Sequence, residues 1–180
     1  MNGILIIDKP EGWTSQDVCS KLRGVFREKR IGHGGTLDPM ATGVLPVFLG
    51  RATRAAQFSE NSEKAYIAGM RLGIETDTQD VTGNILAERP VNVKKEDILA
   101  VLPRFTGEID QLPPMYSAIK IGGKKLYELA RRGETVERQP RRITVKKLEL
   151  TEGEDGFYLS VICSKGTYIR ALVNDIGAAL

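Results

Sequence analysis

Apolar residues recur along this chain with two periods, and each period predicts its own kind of element. Residues 3–8, with the run Ile4-Leu5-Ile6-Ile7, read as a buried strand. Thr14-Ser15-Gln16-Asp17 is a helix start of the capping-box type. Val18, Leu22, Val25 and Phe26 then repeat at helical spacing and predict a helix to about residue 28. Residues 32–43 read as a loop, 44–49 as a strand, and 52–58 as a short helix. Strand character returns at 66–72 and, beyond turn-rich residues 77–84, at 84–88. Val93–Leu102 predicts an amphipathic helix that buries Ile98, Leu99, Val101 and Leu102.

Leu112-Pro113-Pro114 interrupts regular structure, and 115–121 reads as a further strand ending at the Gly122-Gly123 turn. One or two helical turns are expected at 126–132, closed by Gly133. Strands follow at 143–150 and 157–163, joined by the acidic turn 152–156. The last helix, 167–180, carries Ile169, Leu172, Val173, Ile176 and Leu180 on one face. That face still runs at Leu180 with no stop signal, so the chain reads as cut at its C-terminus. Strands and helices intermingle without βαβ repetition, which predicts an α+β fold with a mixed, largely antiparallel sheet. The 180 residues are enough for one domain, or one domain with an insertion.

Composition narrows the classes. Two isolated cysteines, Cys19 and Cys163, make no disulfide framework, and a single histidine excludes zinc sites of the Cys/His kind. The N-terminal apolar run is too short for a signal sequence or a membrane span, so a cytoplasmic protein is expected. Net charge is only +3, but residues 120–147 hold ten Lys and Arg against three Glu. A basic segment on a mildly acidic body suggests a local polyanion-binding surface, with a solvated charged hairpin as the alternative.

Candidate chemistry gathers at Gly32-His33-Gly34-Gly35-Thr36-Leu37-Asp38-Pro39 and the residues after it. This stretch holds the only histidine, and Pro39 biases Asp38 toward an extended backbone. No Gly-x-Ser-x-Gly elbow accompanies His33, and the glycines do not end in a phosphate-binding Gly-Lys-Ser/Thr. No second acid stands out beside Asp38 for glycoside hydrolysis. One aspartate remains, as a nucleophile, a base or simply a turn residue. Arg170 falls in the first turn of the last helix, where the macrodipole disfavours a cation. A carboxylate or phosphate facing it would explain its place.

The stretch 32–46, Gly-His-Gly-Gly-Thr-Leu-Asp-Pro-Met-Ala-Thr-Gly-Val-Leu-Pro, resembles the catalytic motif of TruB-type tRNA pseudouridine synthases. Residues 2–10 with Gly12-Trp13-Thr14-Ser15 are similar to the family's opening segment, and Lys64-Ala65-Tyr66 to its tyrosine motif. Residues 73–80, 113–120 and 164–172, the last running on to Asp175-Ile176-Gly177, resemble further family motifs. Gly34 departs from the pattern, since many members carry threonine there; a change in loop flexibility is expected. Members continue past the equivalent of residue 180 with more catalytic domain and an RNA-binding PUA domain.

The resemblance implies a pseudouridine synthase catalytic domain over 1–180, C-terminally incomplete, with a basic RNA-contacting insertion at about 120–150. It implies an isomerase that converts uridine 55 of the tRNA T loop to pseudouridine after flipping the base. No cofactor or metal is implied; the partner is the tRNA T stem-loop, with no membrane or obligate protein partner, and a monomer is expected. Asp38 is the implied catalytic aspartate, either adding covalently or removing the C2′ proton. Arg170 is expected to pair with it and keep it ionised. Tyr66 would stack on the uracil or relay the C5 proton. His33 would fill the vacated space in the RNA, Tyr168 and Leu172 would line the pocket, and Lys9 and Pro10 would back it. Lys120 joins the substrate-binding set. Lys124, Lys125, Arg131, Arg132, Arg141 and Arg142 would track phosphates. Two other readings stay open: a non-catalytic RNA-binding module with a structural Asp38, and a hydrolase acting on a glycosidic bond.

Overall fold

The computed structural model describes residues 1–60, 62–153 and 156–180, with only the backbone of Glu60. The chain divides into two compact units, Met1–Ser62 and Glu63–Leu180.

In the first unit, β1 (Gly3–Lys9), β2 (Ile31–His33) and β3 (Gly43–Leu49) form an antiparallel sheet in the order β1-β3-β2. Helix α1 (Ser15–Phe26) precedes β2, and a 3-10 turn (Gly50–Ala55) leads into α2 (Ala56–Glu60). Val18 and Cys19 of α1 join Ile31, Leu45, Val47 and Leu49 in one buried cluster. The capping box at Thr14 forms as predicted: Asp17 N–H donates to the Thr14 hydroxyl at 3.0 Å, and Thr14 N–H to the Asp17 carboxylate at 2.9 Å. The helix stops at Phe26 rather than near residue 28, because Arg27 takes the left-handed conformation (φ 51°) that ends helices. No glycine marks the stop. Strand β1 is half-buried rather than buried: its exposure alternates along the strand, and Ile4 and Ile6 face outward.

The second unit is built on a four-stranded antiparallel sheet in the order β4-β11-β10-β7, from β4 (Lys64–Met70), β7 (Gly107–Gln111), β10 (Arg141–Gly153) and β11 (Gly156–Cys163). Strands β5 (Ile74–Thr76) and β6 (Ile85–Glu88) pair separately, as do β8 (Lys120–Ile121) and β9 (Lys124–Lys125). Helices α3 (Lys95–Val101), α4 (Leu126–Ala130) and α5 (Ile169–Ala179) complete it. Ile98, Leu102, Leu159, Val161, Leu172 and Ile176 are among its buried core residues. Every strand pairing described is antiparallel.

Further expectations change. Leu99, expected on the buried side of its helix, is 46% exposed. The strand expected at 115–121 shrinks to Lys120–Ile121. Pro113 and Pro114 lack the N–H a ladder needs, and Ser117 N–H folds back onto Met115 C=O at 2.9 Å. Residues 31–33, at the start of the expected loop, are strand β2. Strand β7 goes unpredicted, because Gly-Glu-Ile-Asp-Gln offers Ile109 as its only large apolar residue. The acidic turn 152–156 includes residues 154 and 155, which lie outside the described residues. Among the described residues no helix is long and apolar enough to cross a membrane.

Candidate functional site

The first unit holds Asp38 on a loop tied down on both sides. Ahead of it, Leu37 N–H donates to Ser15 Oγ at 2.9 Å, and the same hydroxyl donates to Leu37 C=O at 3.2 Å. Behind it, Pro39 C=O accepts from Gly12 N–H at 2.8 Å and from Lys9 Nζ at 3.2 Å. Ala41 N–H returns to Asp38 C=O at 3.0 Å, closing a turn. Asp38 itself is half-buried.

Lys9 is fully buried, and its ammonium also donates to the carbonyls of Pro10 (2.9 Å) and Trp13 (2.6 Å). Burial pushes its pKa down, while the charges of Asp38 and Glu11 push the other way. Three donor positions meeting three carbonyls make a buried lysine tolerable. Pro10, next in sequence, is exposed.

His33 ends β2 opposite Val47. Burial holds its imidazole below the usual histidine pKa, against a smaller upward pull from the Gly35 carbonyl, and Nδ1 is buried with no hydrogen-bond partner. Gly34 is buried, with its N–H on Pro46 C=O at 2.9 Å and its carbonyl accepting from Ser59 Oγ at 3.3 Å. A Cβ at this position would meet Ser59 Oγ and lie 2.9 Å from the Phe48 ring. A side chain here would therefore have to displace Ser59 or the Phe48 ring.

The second unit carries Arg170 in the first turn of α5, with its side chain 11% exposed. The guanidinium donates to Thr78 C=O at 2.7 Å and Tyr116 C=O at 3.0 Å, and its Nε lies 3.6 Å from Asp80 Oδ2. Asp80 is in turn fixed by the hydroxyls of Thr78 (2.7 Å) and Thr82 (2.6 Å) and by Thr82 N–H (2.9 Å). These contacts hold a cation at a helix N-terminus despite the unfavourable dipole.

Tyr168 caps α5 without a side-chain cap of its own. The amide of Gln111, 2% exposed, clamps its backbone instead: Tyr168 N–H donates to Oε1 at 2.9 Å, and Nε2 donates to Tyr168 C=O at 3.0 Å. Tyr66, on β4 opposite Val161, is partly buried against the core, and Leu172 is buried within it.

Of the basic residues, Lys120, Lys124, Arg131, Arg132 and Arg141 are exposed. Lys125 and Arg131 flank the Tyr127 ring, each 5.3 Å from its centroid. Arg142 is engaged by Asp110 in a two-point pair at 2.7 and 3.1 Å. Lys146 pairs with Glu63, and Lys147 with Glu149 at 2.8 Å. The positive charge of the segment is thus concentrated between Lys120 and Arg141. A hollow of about 370 Å³ opens there, floored by Pro113, Ile119 and Leu126 and rimmed by Lys120, Arg138 and Arg141.

Compared with known families, residues 23–169 match the model of the TruB family pseudouridylate synthase, N-terminal domain. This chain belongs to the TruB family. Among its relatives, the tRNA pseudouridine synthase B of Clostridium kluyveri is 51% identical over 178 residues, covering 98% of this chain and 62% of its own length. That of Azoarcus sp. is 52% identical over 182 residues, covering 100% and 60%. The chain thus spans about three-fifths of the length of these TruB-family relatives. Among solved structures, one from a Cbf5-Nop10-Gar1 complex superposes with TM-score 0.75 at 34% identity, over 99% of this chain and 44% of that one. Another, from an H/ACA RNP bound to a substrate RNA containing 2′-deoxyuridine, gives 0.71 at 31% identity, over 99% and 43%. The fold is the pseudouridine synthase fold.

Four residues that tie down this TruB-family chain gave no sequence signal as site residues: Ser15, Gln111, Asp80 and Thr78. Ser15 is legible only as part of a helix start and of a family motif, and Gln111 carries no signal in the sequence. The Thr-Asp-Thr-Gln-Asp run was legible as a turn and as a family motif, but not as the cradle of Arg170.

Proposed function

We propose that the protein isomerises uridine 55 of the tRNA T loop to pseudouridine. The N1–C1′ bond breaks, the uracil turns, C5 bonds to C1′, and the C5 proton leaves as N1 gains one. Asp38 is the reacting carboxylate. The observation that carries this reading is its half-buried place between two fixed residues, in a chain of the TruB family. A carboxylate held in one orientation approaches the anomeric carbon or the C2′ proton without first being ordered.

Arg170 is the cation assigned to keep Asp38 ionised, supported by the three groups that fix its guanidinium. Tyr66 is assigned to stack on the flipped base and relay the C5 proton. His33, held neutral, enters the space the base leaves, and Tyr168, Leu172, Lys9 and Pro10 support the pocket. Lys120, Lys124, Lys125, Arg131, Arg132 and Arg141 grip phosphates, with Arg142 contributing once released from Asp110.

Asp38→Asn tests the assignment. Unmodified tRNA should bind as tightly as to wild type, within about twofold, while pseudouridine in the T loop becomes undetectable. Pseudouridine formed by the Asn variant, or free uracil released by wild type, would refute it.

A further inference from the structure

Ser15 is buried, yet it is the first residue of α1, a position where helices ordinarily meet water. The capping of the helix is done by Thr14 and Asp17, so Ser15 is not needed for it. Its one hydroxyl instead satisfies both backbone groups of Leu37, 22 residues away, accepting from N–H and donating to C=O. The helix start is rigid because the capping box fixes it. Leu37 inherits that rigidity, and its side chain packs against the same core as α1.

From this we infer that Ser15 is a positioning residue for Asp38: its hydroxyl sets the backbone of Leu37 and so the direction from which the Asp38 carboxylate is presented. Ser15 acts through Leu37 and touches no reacting atom. The inference rests on the proposed role of Asp38.

Without the hydroxyl, Leu37 keeps an N–H and a C=O with no partner in a place that admits little water. The loop regains them by shifting toward solvent, which swings the next residue. Lys9 and Gly12 still hold Pro39, so the far side of Asp38 stays fixed and the displacement falls on Asp38. Misplacement of a reacting group by about 1 Å costs on the order of a hundredfold in rate.

The test compares wild type, Ser15→Ala and Val18→Ala in the intact protein. Val18 lies on the same helix and in the same core but is not a partner in either bond between Ser15 and Leu37, so it reports lost core packing with the clamp's hydroxyl kept. Three quantities are read: kcat and KM for unmodified tRNA, Tm, and hydrogen exchange of the Leu37 amide against that of Val47 in β3. Ser15→Ala should lower kcat about 10- to 100-fold with KM within about twofold. Leu37 exchange should accelerate about tenfold or more relative to Val47. Val18→Ala should lose Tm and keep kcat within about twofold. A Ser15→Ala kcat within twofold of wild type overturns the inference, as does a loss that Val18→Ala reproduces at equal Tm, or an unchanged Leu37 amide. Wild-type protein that forms no pseudouridine overturns the functional reading first, and with it the catalytic consequence of the clamp.

Discussion

Replacing Gln111 with Glu turns the clamp on Tyr168 into a pH-dependent one, and the geometry sets the size of the effect. Gln111 is 2% exposed, with Oε1 accepting from Tyr168 N–H and Nε2 donating to Tyr168 C=O. A protonated carboxyl of the same shape can make both bonds; an ionised one keeps the first and sets a negative oxygen against the carbonyl. Burial and that carbonyl therefore raise its pKa above the unfolded value of about 4.3. For a rise of about 2 pKa units, within what burial of a carboxyl brings, the folded variant binds more protons than the unfolded one between about pH 4.3 and pH 6.3. Stability relative to wild type accordingly falls as pH rises through that window. The deficit works out at about 1 kcal/mol at pH 5 and about 2.7 kcal/mol at pH 8. For a chain of 180 residues, each kcal/mol moves Tm by about 2–4 °C. The assay is thermal unfolding of wild type and Gln111→Glu side by side from pH 5 to pH 8. The Tm difference should grow from about 2–4 °C to about 5–11 °C. A difference that stays constant across that range, or none, would show that the amide does not hold Tyr168 through both its atoms.

Two further outcomes follow from the first unit. His33 is the only histidine, so its ring proton gives one resolvable NMR titration. Because burial lowers its pKa, the midpoint should lie below about 6.5, and the stability present above that pH should decline as the imidazole charges; a midpoint at or above 6.5 refutes the buried environment. Gly34→Ala should cost about 1–3 kcal/mol in thermal or urea unfolding, because its methyl meets Ser59 and the Phe48 ring. Adding Ser59→Gly should recover part of that loss, and a neutral Gly34→Ala would refute the crowding.

What could be read in the sequence, and what could not, divides along a physical line. The start of α1, the amphipathic face of α5 and the glycine-rich loop around Asp38 all express themselves over a few neighbouring residues, as a cap, a period or a run of turn formers. Strand β7 was lost because Ile109 alone marks it as apolar. The bonds that give the candidate site its geometry have no local expression at all. Ser15 meets Leu37 across 22 residues, Gln111 meets Tyr168 across 57, and Arg170 reaches Thr78 across 92. In each case a side chain closes on backbone groups far away in the sequence, although Tyr168 C=O also accepts the first bond of α5 from Leu172 N–H at 3.0 Å. A backbone carbonyl or N–H is the same at every residue, so the partner's identity leaves no trace in the sequence at the far end. The burial of Ser15 and Gln111 is therefore visible only once the fold has removed the water. Once it is gone, an unpaired group at either end costs about 1–3 kcal/mol, which makes these the bonds the loops cannot easily trade. Asp38, the proposed reacting residue, is conspicuous in the sequence because the proposed chemistry demands a particular side chain. Ser15 and Gln111 are hidden because what they do demands only a hydroxyl or an amide in one place.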